Sequence, residues 1–376
     1  FLVAAVDKIE RGMRDFLTAT PVPSVIAELG RLEEKAKDAL GADTHAAEAI
    51  KKSQLLRRQV ARRCIYGLDI NPLAVELSRL ALWIHTFVPG LPMSSLDHGL
   101  VLGNSLTGMT TIEEALSALD PRRVPGASGF FDSVLIDELE AAKAHFLDFS
   151  RASEADKAEV EAGAHMLRAA RDVSITAKAI LDAAVAVRDG SVLPKARFSR
   201  EDLDDLLAEP GIALSAARLL PGHFPYLFPE VFLRSDPGFN VVVGNPPWDK
   251  VRWEAAPYWA KVSPGLMALA DSIRDERIEH LRASRPTEAA RERQEMSDRE
   301  RLQAYFKQSF EWRGGTHLEL AQLMLERALK ATRVDGRLAL VLPRQCLVLA
   351  GWKKLRERVL TNYDVELVQA RNVAGW

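Results

Sequence analysis

The chain has 376 residues, 47% of them hydrophobic and 27% charged, and a formal net charge of −2. This composition is typical of a globular protein with one large domain or two. The near-neutral charge weighs against an autonomous DNA-binding module, although it leaves room for a local basic stripe. Cys64 and Cys346 match no metal or redox spacing, which favours a reduced, cytosolic setting. No apolar run reaches membrane length, and the first residues lack a basic leader.

The first segment predicts helices. Apolar residues at helical spacing indicate a helix over residues 1–18, and residues 25–62 indicate two charged helices broken near Gly41. We interpret the cations of the second charged helix as a solvated face rather than a phosphate-binding one. They are Lys51, Lys52, Arg57, Arg58, Arg62 and Arg63.

Two short strands follow. Residues 64–68 predict a strand that ends at Asp69, and Asn71-Pro72 begins an apolar helix that extends to Phe87. We expect this helix to pack on a sheet. Residues 100–102 predict another strand, which leads into a turn at Asn104.

Residues 110–200 show no strand pattern and predict a helical insertion, followed by a Pro-rich loop over 201–234. Residues 239–244 are β-branched and predict a short buried strand. Exposed charged helices are predicted over 268–308 and another helix over 317–333. A strand at 337–342, a helix at 351–361 and a strand at 363–369 complete the chain. Helices between strands predict an α/β fold with a doubly wound parallel sheet.

The strand at 239–244 ends in Asn245-Pro246-Pro247-Trp248. Prolines cannot continue a ladder, so an amide, a rigid turn and an aromatic ring are held at the carboxyl end of a strand, where open α/β sheets bind ligands. The Asn245 side-chain oxygen and the Pro246 carbonyl can accept both N–H groups of adenine's exocyclic amine. Trp248 can stack on a base removed from its duplex. The alternative is a Pro-rich strand exit with a buried tryptophan.

Polar residues also end the two earlier strands. Asp69 is placed to receive the ribose hydroxyls of an adenosyl cofactor, Ile70 to lie against its adenine and Asn104 to bind the purine edge. The alternatives are a helix cap for the segment from Asp69 to Pro72 and an ordinary turn at Asn104. The joint occurrence of the three strand ends, in this order, favours a site.

With these motifs the chain resembles the S-adenosylmethionine-dependent adenine-N6 DNA methyltransferases of the gamma type. Within that group it resembles the large Eco57I-like enzymes of restriction and phage-defence systems, including the BREX and DISARM methyltransferases. The supporting segments are Gly-Leu-Asp-Ile-Asn-Pro at 67–72, Leu-Ala-Leu-Trp at 80–83, Leu-Gly-Asn-Ser-Leu at 102–106, Phe-Pro-Glu-Val-Phe at 228–232, Asn-Pro-Pro-Trp at 245–248, Leu-Glu-Arg-Ala-Leu at 325–329 and Gly-Arg-Leu-Ala-Leu-Val-Leu-Pro at 336–343.

The resemblance implies methyl transfer from S-adenosyl-L-methionine to the N6 amine of an adenine flipped out of double-stranded DNA, without a metal. It implies a prokaryotic, cytoplasmic protein with no membrane association, which can work with other defence-system subunits. Asn245, Pro246, Pro247 and Trp248 take the catalytic positions. Asp69, Ile70, Asn104 and Phe1 take the cofactor-binding positions.

The resemblance also divides the chain into three segments. Residues 1–109 correspond to the cofactor side of the methyltransferase core, and residues 110–234 to a helical insertion with its return loop. Residues 235–376 correspond to the target-base side, with a charged helical insertion at about 268–308.

Two departures from the family stand out. An Asp-Pro-Ala-Cys-Gly-Ser-Gly type loop, which cradles the methionine part of the cofactor, is absent. We therefore expect a fragment that begins just after this loop, lacks its first strand and folds poorly alone. Residues 370–372 read Ala-Arg-Asn where the family often has Phe-Glu-Asn. Two alternative functions stay open: a methyltransferase of the same fold acting on RNA or protein glutamine, and a catalytically silent DNA-binding subunit of a defence complex.

Overall fold

A computed structural model describes residues 1–41, 44–123, 129–193, 200–312, 314 and 318–366. The chain is mixed α/β and mostly helical. The strands are β1 (Gly67–Asp69), β2 (Leu100–Leu102), β3 (Phe239–Gly244) and β4 (Thr332–Leu340). The helices are α1 (Leu2–Ala19), α2 (Pro23–Leu40), α3 (Thr44–Glu48), α4 (Lys52–Cys64), α5 (Pro72–His85), α6 (Ile112–Leu119), α7 (Phe130–Arg151), α8 (Lys157–Asp172), α9 (Ile175–Arg188), α10 (Arg200–Leu207), α11 (Pro210–Leu219), α12 (Phe224–Leu227), α13 (Pro229–Phe232), α14 (Ala255–Ala260), α15 (Asp271–Ser284), α16 (Pro286–Ser309), α17 (Leu320–Ala331) and α18 (Lys353–Asn362).

The strands form small sheets. β1 and β2 pair in parallel, with Gly67 opposite Leu100 and Asp69 opposite Leu102. Parallel neighbours need a long crossover, which contains α5. β3 pairs with β4 in a second sheet. Each sheet has two strands within the described ranges. The carboxyl ends of β1 and β2 therefore lie at one edge of their sheet.

Several strand predictions need correction. The first strand begins at Gly67 rather than residue 64, because α4 continues to Cys64. β4 begins at Thr332 rather than residue 337 and contains Asp335 in a left-handed conformation, at φ 59°. The prediction that β3 is buried is wrong, since a two-stranded sheet leaves Val241 and Val243 exposed. Residues 363–366 are not in a strand, and residues 367–372 lie outside the described part of the chain.

The chain divides into two compact units. Unit 1 comprises Phe1–Val187, Ser191–Asn240 and Arg333–Gly336, and unit 2 comprises Arg188–Gly190, Val241–Thr332 and Arg337–Trp376. In unit 1 a core of buried aliphatic residues joins α1, α2, α4 and α5; it includes Val6, Leu32, Leu55 and Leu82. In unit 2, Trp259, Leu266 and Ile278 lie in one cluster and Ala321, Trp352 and Leu355 in another. The three sequence segments described above stay a prediction.

Helix α5 begins as predicted but is less covered than predicted. The Asn71 side chain accepts from the backbone N–H groups of Leu73 and Ala74, which caps the helix in front of Pro72. The helix contacts α1, β1 and β2. Its other side is exposed, including Leu77 and Ile84. None of the described helices is both long and apolar enough to cross a membrane.

The prediction that the basic face of α4 is solvated holds for Lys51 and Lys52, which are exposed, but it is wrong for two arginines. Arg58 and Arg62 are buried, and Arg62 forms an ion pair with the buried Glu154 at 3.1 Å. Arg62 also donates to the carbonyls of Phe149 and Ala152, at the end of α7, where the helix dipole favours a cation. Burial lowers the pKa of Arg58 to about 10, and the Glu154 carboxylate opposes that shift. This network fastens the end of α7 to α4.

Candidate functional site

Asp69 ends β1 with its side chain exposed. Its Oδ1 accepts from the backbone N–H of Asn71 at 2.8 Å, and its carbonyl accepts from Gly103 at 2.9 Å. The carboxylate is therefore held in a defined direction while still facing solvent. Ile70 follows with 55% of its surface exposed, although it is a large aliphatic residue. An exposed acceptor beside an exposed apolar side chain can hold a sugar hydroxyl and a base together.

Asn104 lies in the turn after β2. Its side-chain Oδ1 accepts from the backbone N–H of Leu106 at 3.0 Å, so the ordinary-turn alternative accounts for that oxygen. Its backbone N–H donates to Leu220 and its carbonyl accepts from Gly222. The turn is thus paired along its length with the loop after α11. With the oxygen engaged, the side-chain Nδ2 is the group available to a ligand.

A buried histidine supports this turn. Met109, five residues after Asn104, donates its backbone N–H to His223 Nδ1 at 3.2 Å. Because Nδ1 accepts, the proton lies on Nε2, which donates to Asp182 on α9 at 3.0 Å. Burial lowers the pKa of His223, and Asp182 opposes this shift. We infer a neutral imidazole that links the turn after β2 to α9.

A second buried carboxylate joins the starts of β1 and β2. Glu230 accepts from the Tyr66 hydroxyl at 3.0 Å and from His98 Nε2 at 2.6 Å. Burial raises the pKa of Tyr66, and Glu230 raises it further, so the hydroxyl stays a donor. Sequence reasoning assigned Glu230 no role, although it lies within the Phe-Pro-Glu-Val-Phe segment. The signal was a carboxylate flanked by aromatic residues, which pack around it: the Phe228 ring is 5.1 Å from that of Tyr66.

In unit 2, the residues after β3 present unused polar groups. Neither the Asn245 amide nor the Pro246 carbonyl has a hydrogen-bond partner among the described residues. Asn245 and Pro247 are exposed, whereas Pro246 is buried and so fixes the turn. Gly244 accepts from the backbone N–H of Val341 at 3.0 Å, which anchors the turn to the segment after β4. Two acceptors are thus held at a strand end without internal partners.

Trp248 completes this turn with a half-exposed ring. Its Nε1 donates to the Val341 carbonyl at 3.3 Å, and 50% of the residue is exposed. The alternative of a buried tryptophan is therefore wrong. The hydrogen bond fixes one edge of the indole and leaves ring surface for stacking, which is the geometry of a base platform.

The predicted site residues fall into both units. Asp69, Ile70 and Asn104 lie at the carboxyl ends of the paired strands β1 and β2 in unit 1, whereas residues 245–248 lie together in unit 2. Phe1 is exposed at the start of α1, and its carbonyl accepts from Ala5. Among the described residues, no group of three or more His, Cys, Asp or Glu side chains could hold a metal ion.

Comparison with known proteins identifies the family. A family model described as Eco57I restriction-modification methylase matches residues 63–261, more than half of the chain. The match includes both strand ends of unit 1 and the Asn-Pro-Pro-Trp turn of unit 2. No curated protein and no solved structure gave a match. The chain therefore belongs to the Eco57I restriction-modification methylase family.

Proposed function

We propose that this chain transfers a methyl group from S-adenosyl-L-methionine to the N6 amine of adenine in double-stranded DNA. The observation that carries the proposal is the pair of acceptors at Asn245 and Pro246, which are held at a strand end and have no partner in the part of the chain that the structure describes. Family membership supports DNA methylation in general. The choice of adenine rests on the match between two acceptors and the two N–H groups of an exocyclic amine.

The residues at the ends of β1 and β2 fit the adenosyl part of the cofactor. We assign the Asp69 carboxylate to the ribose hydroxyls, since a charged acceptor makes strong hydrogen bonds to such donors. Ile70 covers one face of the cofactor's adenine, which explains its exposure. Asn104 donates through Nδ2, because its oxygen is engaged by Leu106. We also assign Phe1 to the cofactor side.

The turn after β3 fits the target base. Trp248 stacks on an adenine flipped out of the duplex, since an enzyme cannot reach the amine inside the stack. Asn245 and the Pro246 carbonyl accept the two N–H groups. Both acceptors favour a more tetrahedral nitrogen, whose lone pair is otherwise delocalised into the ring. Pro247 keeps the turn rigid, so the acceptors need no reorganisation during the reaction.

When bound, S-adenosylmethionine supplies a methyl group on a positively charged sulfur, and the sulfur keeps the electron pair of the broken bond. The adenine nitrogen forms the new bond to carbon and afterwards loses one proton to water. The residues of this chain contribute by positioning and by stabilising charge on the amine. We assign the chain a doubly wound methyltransferase fold and place the enzyme in the gamma-type group. The activity would mark host DNA in a restriction or phage-defence system of the prokaryotic cytoplasm.

Nucleoside analysis tests the proposal. The full-length protein is incubated with S-adenosylmethionine and unmethylated phage DNA, which is then digested and analysed by mass spectrometry. We expect N6-methyl-2′-deoxyadenosine, and we expect Asn245→Ala to abolish it. Asn362→Ala, at the end of α18, is a matched control that should keep full activity.

Other outcomes would identify the alternatives. Methylated cytosine would reject the adenine assignment. Methylated RNA or glutamine without methylated DNA would move the activity to another substrate. No binding of S-adenosylmethionine in isothermal titration would indicate a catalytically silent DNA-binding subunit. Retained methylation in Asn245→Ala would refute the assigned role of the Asn-Pro-Pro-Trp turn.

A further inference from the structure

A rigid loop in unit 2 exposes three consecutive aliphatic side chains. This 344–352 loop comprises residues 344–352 and follows β4. Leu347, Val348 and Leu349 are 41%, 74% and 43% exposed. Single exposed aliphatic residues are common on protein surfaces, but a contiguous group indicates an interaction site.

The backbone of this loop is firmly held. Trp352 is buried and donates Nε1 to Glu319 at 2.7 Å, and Gln345 donates to the same carboxylate at 3.3 Å. Arg356 donates to the carbonyls of Cys346 and Leu349. The loop is therefore preorganised, and the exposure of its apolar side chains is a property of an ordered structure.

Glu319 also holds the segment that follows Trp248. Glu319 pairs with Lys250 in an antiparallel bridge, and Leu320 donates its backbone N–H to the Asp249 carbonyl at 2.9 Å. Asp249 directly follows Trp248. Glu319 thus joins the Trp248 segment and the 344–352 loop, so both are positioned by one element of unit 2.

The charged residues around these aliphatic side chains indicate the chemical class of their partner. From Pro343 to Asn362 the chain carries a single acidic residue, Glu357, against several cations. Arg344 and Lys353 border the apolar residues and are exposed. The cations are Arg344, Lys353, Lys354, Arg356 and Arg358. An apolar tip flanked by cations fits DNA, since proteins that distort a duplex insert aliphatic wedges between base steps while cations bind the phosphates.

We propose that the 344–352 loop is a DNA wedge, in which Val348 enters the base stack and Arg344 and Lys353 contact the phosphates. This inference rests on the proposed function in its choice of DNA as substrate. It supplies what base flipping requires, because unstacking a base has a free-energy cost and an apolar side chain inserted between base steps lowers that cost.

Substitutions of Val348 in the full-length protein test the wedge. Val348→Ser removes the apolar surface and Val348→Leu keeps it; neither should disturb the fold, because the side chain is mostly exposed. We expect Val348→Ser to weaken binding to unmethylated phage DNA fragments about tenfold in filter binding, and Val348→Leu to stay within twofold. Val334→Ser is the matched control, since Val334 is 78% exposed and lies near the start of β4. Titration with S-adenosylmethionine should give unchanged affinity for all three.

The phosphate contacts have a separate readout. Arg344→Ala should weaken DNA binding and reduce the slope of log affinity against log salt by about one, which a merely structural role would not do. Equal DNA affinity of Val348→Ser and Val334→Ser would overturn the wedge. Suppose that the wild-type protein binds DNA but never methylates it, and that Val348→Ser weakens this binding. The proposed function is then wrong, whereas the wedge is supported. Absence of any DNA binding would overturn both.

Discussion

Replacing Glu154 tests whether the buried network that fastens the end of α7 to α4 depends on charge. Glu154 is fully buried, forms the ion pair with Arg62, and accepts from Ser94 Oγ at 3.0 Å and from the Ser95 N–H at 3.2 Å. Glu154→Gln keeps the shape of the side chain but removes the negative charge that pairs with the buried Arg62. Its NH2 group is a hydrogen-bond donor that would face groups which themselves donate to Glu154, namely Arg62, Ser94 Oγ and the Ser95 N–H. Breaking a buried pair by changing one partner costs about 3–5 kcal/mol.

Hydrogen exchange of the backbone amides of α4 measures the free-energy cost of this substitution. A loss of about 4 kcal/mol is nearly three factors of ten, since about 1.4 kcal/mol corresponds to tenfold. The backbone amides of α4 should therefore exchange about a thousandfold faster in Glu154→Gln, followed by mass spectrometry of the full-length protein. Ser94→Ala, which removes one neutral donor, should accelerate exchange about tenfold.

An exposed pair provides the control. Lys157 and Glu161 are 3.7 Å apart on α8, and both side chains are mostly exposed. Exposed pairs contribute little, so Glu161→Gln should change exchange of α4 by no more than about threefold. If Glu154→Gln behaves like Glu161→Gln, the buried arginines do not depend on the carboxylate and the reasoning is refuted.

Three further predictions concern the candidate site. Trp248→Ala should reduce methyl incorporation at least about tenfold, while Trp248→Phe keeps most of it, because stacking on a base contributes about 1–3 kcal/mol; equal activity of the two would contradict the platform. Asp69→Ala should weaken S-adenosylmethionine binding about tenfold or more in isothermal titration, since charge-assisted hydrogen bonds are lost, whereas Glu76→Ala on α5 should not. Burial lowers the pKa of His223 below its usual 6.5, so as the pH falls the unfolded chain binds a proton at this histidine before the folded protein does. The contribution of His223 to folding stability is therefore complete above pH 6.5 and declines as the pH falls. The protection factors of the backbone amides of residues 104–109, which correct for the slower intrinsic exchange at lower pH, should fall between pH 7 and about pH 5. His223→Gln should flatten this dependence, and protection that stays constant with pH in the wild type would refute it.

Local signals were enough to predict much of this protein. Asn71 and Pro72 mark the start of α5, and the β-branched run at 239–244 marks β3, since capping, proline geometry and β-propensity act within a few residues. The positions of Asp69, Asn104 and Asn245 after strands also follow from the sequence. The structure adds that Asn104 uses its oxygen internally and that Asn245 has no described partner.

Partners distant in the chain could not be predicted. Arg62 looked like part of a solvated face because its carbonyl partners lie 87 and 90 residues away in the sequence, at the end of α7. His223 and Asp182 are 41 residues apart, and Glu230 and His98 are 132 apart. A sequence pattern shows the spacing of residues along one element, but not which element will supply the opposite charge.

The sequence by itself determined the elements of the candidate site, which are three strand ends with their polar residues and the proline turn, and it also determined the helical character of the segment after β2. Each depends on backbone preferences that a few neighbouring residues impose. Only the tertiary structure decided which groups are free to act. Among the described residues, Asn245 and Pro246 keep acceptors without partners. The side chains of Glu154, His223 and Glu230 are instead buried in internal pairs, because burial and hydrogen-bond satisfaction are set by contacts between distant segments.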